Sequence, residues 1–209
     1  MTVAERAIRI GASPRRLDAR LAIPAGATTG AVVCHPHPEY GGTMDGSVVV
    51  AVARALAAAG VATLRFDFGG VGESEGRYDD GVAEVDDVLA AVAALGDALP
   101  ADVPLAVAGY SFGALVGTRA ATRAARVAHV VAIAPPASLA AWDFAGGLRA
   151  PLTIVVGDCD TYCPPDARRA LEAAAGGGAR TVVLAGADHF FAGREREVAA
   201  AVVATLTAG

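Results

Sequence analysis

Residues 105–116 read Leu105-Ala106-Val107-Ala108-Gly109-Tyr110-Ser111-Phe112-Gly113-Ala114-Leu115-Val116. The apolar run Leu105–Ala108 does not alternate, which suits a strand covered on both faces. A helical stretch follows over 113–125. Between them stands G-x-S-x-G, the pattern that sets a serine on a sharp strand-to-helix turn. The residue types follow from that geometry. A serine held in a strained backbone conformation needs small neighbours two residues away, and Gly109 and Gly113 supply them. The turn lifts the hydroxyl above the sheet, and the helix N-terminus offers the Phe112 N–H to a developing oxyanion. The rival reading is a glycine-rich turn with an incidental serine. The chain has only five serines, which weakens it.

The same strand–helix rhythm extends in both directions. Strands are expected at Ala31–Cys34, Ala62–Phe66, His129–Ile133, Leu152–Val156 and Thr181–Leu184. Helices are expected near 46–59, 80–97, 165–175 and 193–207. Two alternating segments precede them, Arg6–Ile10 and Leu17–Ile23, joined by a Ser-Pro turn, as in an antiparallel hairpin. The fold class is therefore α/β: a three-layer α/β/α fold around a mostly parallel sheet of about eight strands with an antiparallel start. With 209 residues and no repeat or linker, 1–209 is read as one domain. Active residues in such sheets gather on loops past the carboxyl ends of strands.

A serine nucleophile needs a base, and four histidines are available. His189 follows the last strand, where an imidazole can swing toward Ser111. His129 begins a strand, at the wrong end of the sheet. The acid is expected after an intervening strand, in Gly157-Asp158-Cys159-Asp160-Thr161-Tyr162-Cys163-Pro164. Asp160 is favoured, with Asp158 left to bind backbone in the turn. The acid fixes the imidazole tautomer and stabilises the imidazolium.

The loop His35-Pro36-His37-Pro38-Glu39-Tyr40-Gly41-Gly42-Thr43-Met44-Asp45 follows the strand Ala31–Cys34. A second oxyanion donor is expected from its backbone. Proline has no N–H, and His35 continues the strand, so His37 is the candidate. Asp45 is placed to cap the next helix. A metal reading of His35-x-His37 competes, but a zinc site needs further ligands, and taking His189 or the carboxylates would dismantle the triad.

With these residues assembled, the chain resembles the α/β-hydrolase superfamily, and within it the small bacterial hydrolases related to dienelactone hydrolases. Residues 35–45 match an H-P-H-P-x-x-G-G-T-M-D motif at every defined position. Residues 69–76 are similar to an R-G-x-G-x-S-x-G turn, with Gly69 where the arginine usually stands. The resemblance implies a Ser-His-Asp hydrolase without a cofactor, and leaves ester, thioester and peptide cleavage open. The connection from Ala134 to Pro151 is about eighteen residues, too short for a large helical cap, which implies an open site. Tyr40, Tyr110, Pro135, Trp142 and Phe190 are the candidate substrate-binding residues, with Pro136, Phe112, Phe144 and Phe191 nearby.

Composition narrows the chemistry further. All 17 cationic side chains are arginine; there is no lysine, asparagine or glutamine. P-loop, pyridoxal, Schiff-base and Ser-Lys chemistry all need a lysine and are excluded. Side-chain amides are excluded as oxyanion donors, which leaves backbone N–H groups. The stretch 70–76 is faintly like a dinucleotide loop, but it follows the wrong strand for one. The net charge is −5 without a basic run, so no nucleic-acid partner is expected. No apolar run reaches a membrane span, and without an apolar stretch at Met1–Arg6 a signal peptide is not expected. A cytoplasmic protein acting on a small ester-like substrate is expected, with a homodimer left open. Cys159 and Cys163 are read as packing around the acid loop, and the acidic stretch from Asp79 to Asp87 as a solvated helix start. A hydrolase fold that only binds is the non-enzymatic alternative, and the intact Ser111, Asp160 and His189 argue against it.

Overall fold

The computed structural model describes residues 3–208. The two alternating segments form β1 (Arg6–Ala12) and β2 (Arg15–Ala22), paired antiparallel with Arg6 opposite Leu21. The apolar runs form β3 (Gly30–Cys34), β4 (Ala62–Phe66), β5 (Leu105–Tyr110), β6 (Val127–Ile133), β7 (Leu152–Gly157) and β8 (Arg180–Leu184). Their order in the sheet is β1-β2-β4-β3-β5-β6-β7-β8. β2 meets β4 antiparallel, and every pairing beyond β4 is parallel. The chain runs outward from β3 to β4 and then returns to set β5 on the other side. Loops leaving the carboxyl ends of β3 and β5 therefore part, and a crevice opens between them.

Five helices cover the sheet. α1 (Ser47–Ala58) and α5 (Glu195–Thr207) pack on one face, and α2 (Ala83–Asp97), α3 (Phe112–Ala121) and α4 (Pro165–Ala174) lie on the other. β3 shows why its sequence is apolar throughout. Ala31 and Val33 join the core under α1 and α5, while Val32 and Cys34 join the core on the opposite face. The connection from β6 to β7 holds one short 3-10 turn, Asp143–Gly147, and no cap domain.

Four local expectations are corrected. The helix expected from residue 80 starts at Ala83, because Asp80 and Gly81 are left-handed, at φ 50° and 82°. The acidic stretch is only partly solvated: Glu84 and Asp87 are fully buried. Glu84 accepts the amides of Asp79 and Gly81 at 2.9 Å each, and Asp87 accepts from Arg15 at 2.7 Å and from the Gly69 amide at 2.9 Å. Asp45 does not cap α1, whose N-cap is Gly46; its carboxylate pairs with Arg65. β8 is not covered on both faces; as the sheet's last strand it leaves Val183 46% exposed.

Candidate active site

Ser111 sits between β5 and α3 at φ 53°, ψ −115°, a conformation that L-residues rarely adopt. Its amide donates to the Ile133 carbonyl at 2.8 Å, which anchors the turn to β6. The two glycines of the pentapeptide are required by contact. A Cβ at Gly109 would stand 2.1 Å from the Gly113 carbonyl oxygen, and one at Gly113 would stand 2.5 Å from that of His35. The strained turn therefore presses the start of α3 against the end of β3.

His189 reaches Ser111 from the loop after β8. Its Nε2 lies 2.9 Å from Ser111 Oγ. Its Nδ1 lies 3.1 and 3.0 Å from the two oxygens of Asp160. A carboxylate accepts only, so Nδ1 carries the proton and Nε2 is free to take one. Asp160 is buried, and its Oδ1 also accepts the amides of Tyr162 at 2.8 Å and Cys163 at 3.2 Å. Asp158 instead accepts the Gly186 amide at 2.6 Å. Asp188 turns away from its neighbour and accepts the amides of Phe190 and Phe191 at 3.0 and 3.1 Å. The Tyr110 hydroxyl donates to the His189 carbonyl at 3.0 Å, and the Tyr162 ring stands edge-on to the imidazole at 4.5 Å. A Cβ at Gly157 would meet the Ala187 carbonyl oxygen at 2.0 Å, so this glycine lets the two loops close on each other.

The loop after β3 is held on every side. His35 is fully buried; its Nδ1 donates to the Pro36 carbonyl at 2.6 Å, and its Nε2 accepts the Phe68 amide at 3.1 Å. Burial pushes its pKa down to about 4, so the ring is neutral. The His37 Nδ1 accepts the Glu39 amide at 3.3 Å, which leaves the proton on Nε2, 3.0 Å from the Tyr78 hydroxyl. Both imidazoles are thus consumed by the protein and do not converge on a common ion. Asp67 accepts the Met44 amide at 2.7 Å, and a Cβ at Gly42 would stand 2.1 Å from the Pro36 carbonyl oxygen. The His37 ring packs on Tyr40, Tyr78 and Phe112 at 4.7, 4.9 and 5.0 Å. The amides of His37 and Phe112 have no hydrogen-bond partner among the described residues.

These groups share a cleft of about 670 Å³. Of the candidate substrate-binding residues, Tyr40, Tyr110 and Phe190 line it. Pro135 and Trp142 do not. Trp142 is buried in the core on the face covered by α2, α3 and α4 and packs on Phe144 at 5.4 Å, and Pro135 is buried where β6 ends, leaving Pro136 to face the cleft. The sequence reading missed Tyr78, Asp80, Leu139 and Tyr162 in the lining. Tyr78 and Asp80 stand just past the glycine-rich turn after β4, and Tyr162 lies two residues beyond Asp160. Loops at the carboxyl ends of the central strands are where such side chains are to be sought.

Comparison with known proteins bears on the family and the fold. The family described as serine aminopeptidase, S33, matches residues 31–145. The structure of an α/β serine hydrolase homologue from Coxiella burnetii is 34% identical, with a TM-score of 0.85 over 99% of both chains. XC6422 from Xanthomonas campestris, described as an α/β serine hydrolase without a lid, is 31% identical with a TM-score of 0.85, over 100% of this chain and 98% of its own. An uncharacterized protein of Rickettsia prowazekii, RP471, is 33% identical over 180 residues, 82% of this chain and 76% of that protein. No helix among the described residues is long and apolar enough to cross a membrane.

Proposed function

The chain belongs to the α/β-hydrolase superfamily, and we propose that it is a serine carboxylesterase acting on a small substrate through an acyl-enzyme. One observation carries the reading: Ser111 Oγ is 2.9 Å from the bare nitrogen of an imidazole whose other nitrogen is held by Asp160. His189 Nε2 takes the Ser111 proton as Oγ bonds to the ester carbonyl carbon. The carbonyl π pair moves to oxygen, where the Phe112 and His37 amides receive the charge. Collapse breaks the bond to the leaving oxygen, which takes the proton from His189 and departs as the alcohol. Water then repeats the sequence on the acyl-enzyme. His189 takes its proton and returns it to Ser111 Oγ, and the acid is released.

Kinship with the dienelactone-hydrolase-related group, a cytoplasmic setting and independence of cofactors belong to the same proposal. So do the roles of Ser111, Asp160, His189, Phe112 and His37. A fluorophosphonate probe followed by peptide mass spectrometry tests it. A single adduct on Ser111 is expected; a folded sample left unlabelled there refutes the assignment. Matched p-nitrophenyl ester, thioester and anilide substrates then rank the ester reading against its thioesterase and amidase alternatives.

A further inference from the structure

We infer that the cleft sorts substrates by charge: it takes esters whose acyl portion is uncharged or cationic, it rejects those whose acyl portion ends in a carboxylate, and Asp80 makes the distinction. This rests on the serine-hydrolase reading and specifies which substrates that site takes.

The chain has 17 arginines, yet none lines the cleft. Among the described residues of the lining, Asp80 is the one carboxylate. The rest is aromatic, aliphatic or proline, apart from Ser111, His37 and His189. An anionic acyl group entering here meets no counter-charge and one like charge, and loses its water against aromatic walls.

The place of Asp80 assigns the effect to the acyl side. The leaving oxygen must reach His189 Nε2, so the alcohol takes the half of the cleft beside Phe190, Tyr162 and Leu139. The other half lies past the oxyanion amides, where Tyr78 packs on Phe112 at 5.7 Å and on His37 at 4.9 Å, with Tyr40 beyond. Asp80 belongs to this half: it lies two residues beyond Tyr78 on the same loop and lines the cleft with it, and the next residue, Gly81, lies against Phe112, where a Cβ would stand 3.5 Å from the ring. Burial, followed by the charges of Asp80, Glu84 and Glu39, raises the Tyr78 hydroxyl to about 12, so Tyr78 stays an uncharged ring. The Glu84 carboxylate is occupied by two amides, as described. Arg119 stands behind Gly81, outside the cleft, with its guanidinium 4.9 Å over the Phe144 ring. An ammonium group in this half finds the Asp80 carboxylate and the faces of Tyr40 and Tyr78.

The test uses p-nitrophenyl esters of one chain length whose acyl ends are methyl, carboxylate or trimethylammonium. Expected kcat/KM falls from ammonium to carboxylate by about tenfold or more at low salt, and the spread narrows at high salt. Asp80 lies at φ 50°, which asparagine tolerates, so Asp80→Asn preserves the backbone. It should collapse the ammonium-to-carboxylate ratio to within about threefold. Asp102→Asn, which removes an exposed acid at the opposite end of β5, should leave the ratio unchanged. A wild-type preference for the carboxylate, or a ratio indifferent to Asp80→Asn, overturns the inference. An equal response to Asp80→Asn when the charge is moved to the alcohol overturns its assignment to the acyl half. Loss of the underlying reading looks different: the methyl-ended ester is not turned over and Ser111 takes no fluorophosphonate, which removes both.

Discussion

The loops on either side of Ser111 are both tied down by side chains, but they hold different groups in place. On the proposed mechanism the loop at 35–45 presents a backbone amide, and its backbone is what is fixed. Two prolines, a buried neutral His35, the Asp67–Met44 bond and the close approach at Gly42 hold it. Its side chains brace the main chain. The loop at 186–191 carries the imidazole, so its main chain is tied down by side chains and the ring itself is aimed by a further carboxylate. Asp188 ties down two amides, Tyr110 holds the His189 carbonyl, and Asp160 orients the imidazole. A preorganised amide and a preorganised base thus call for different residues at comparable positions in the fold.

Removing the side-chain machinery should have the largest effect. Ser111→Ala or His189→Ala is expected to lower kcat on a p-nitrophenyl ester by about 10⁶-fold, with the fold intact by circular dichroism. Asp160→Asn should cost about 10⁴-fold by permitting the wrong tautomer, and Asp158→Asn far less. A larger loss in Asp158→Asn would reverse the assignment. On the backbone side, Gly42→Ala forces Pro36 to move and should displace the His37 amide. A loss of about 10²-fold in kcat is expected, the range for one oxyanion donor, with KM changed little. Tyr78→Phe keeps the ring packing but removes the hydroxyl from His37. We expect about a tenfold fall in kcat, a fraction of the cost of a whole donor. If KM alone rises, the hydroxyl contacts substrate instead of bracing the loop.

A further effect falls on stability and leaves the rate untouched. His35 has a folded pKa of about 4 against roughly 6.5 when unfolded. Between those values the unfolded chain binds more protons, so stability falls as pH drops through the window and is fully regained above the unfolded pKa. The full excursion is worth about 3 kcal/mol. Asp67 and Asp87, whose carboxyls burial raises, act in the opposite sense. Urea midpoints from pH 7.5 to 4.5 should fall in the wild type and fall less in His35→Gln.

The parts of this arrangement that were legible are those fixed by local chemistry. The strand at Leu105–Ala108 reads because an unbroken apolar run suits cover on both faces, and β5 starts at Leu105 as expected and runs two residues further, to Tyr110. The Ser111 turn reads because only glycine fits at 109 and 113. Distances between remote segments were not legible. Asp87 looked solvated because its partner Arg15 lies 72 residues away, filling the space that a side chain at Gly69 would occupy. Trp142 looked like a pocket residue because an aromatic in a short connection has two apolar places to go, and the core on the face covered by α2, α3 and α4 took it. Tyr78 carried no motif, and its role emerges only where the loops after β3 and β4 meet.

The brevity of the connection from Ala134 to Pro151 has a kinetic meaning. With no cap over the mouth, none of the described residues shuts bulk solvent out when a substrate arrives, and the exposed rims of Tyr40, Leu139 and Phe190 stay wet until something apolar lies across them. That something is the substrate. A bulky ester dries its own reaction centre and strengthens every charge interaction around it, whereas acetate-sized esters leave the centre flooded. Chain length should therefore be felt in the speed of the chemical step as well as in affinity, and product departure waits on no hinge.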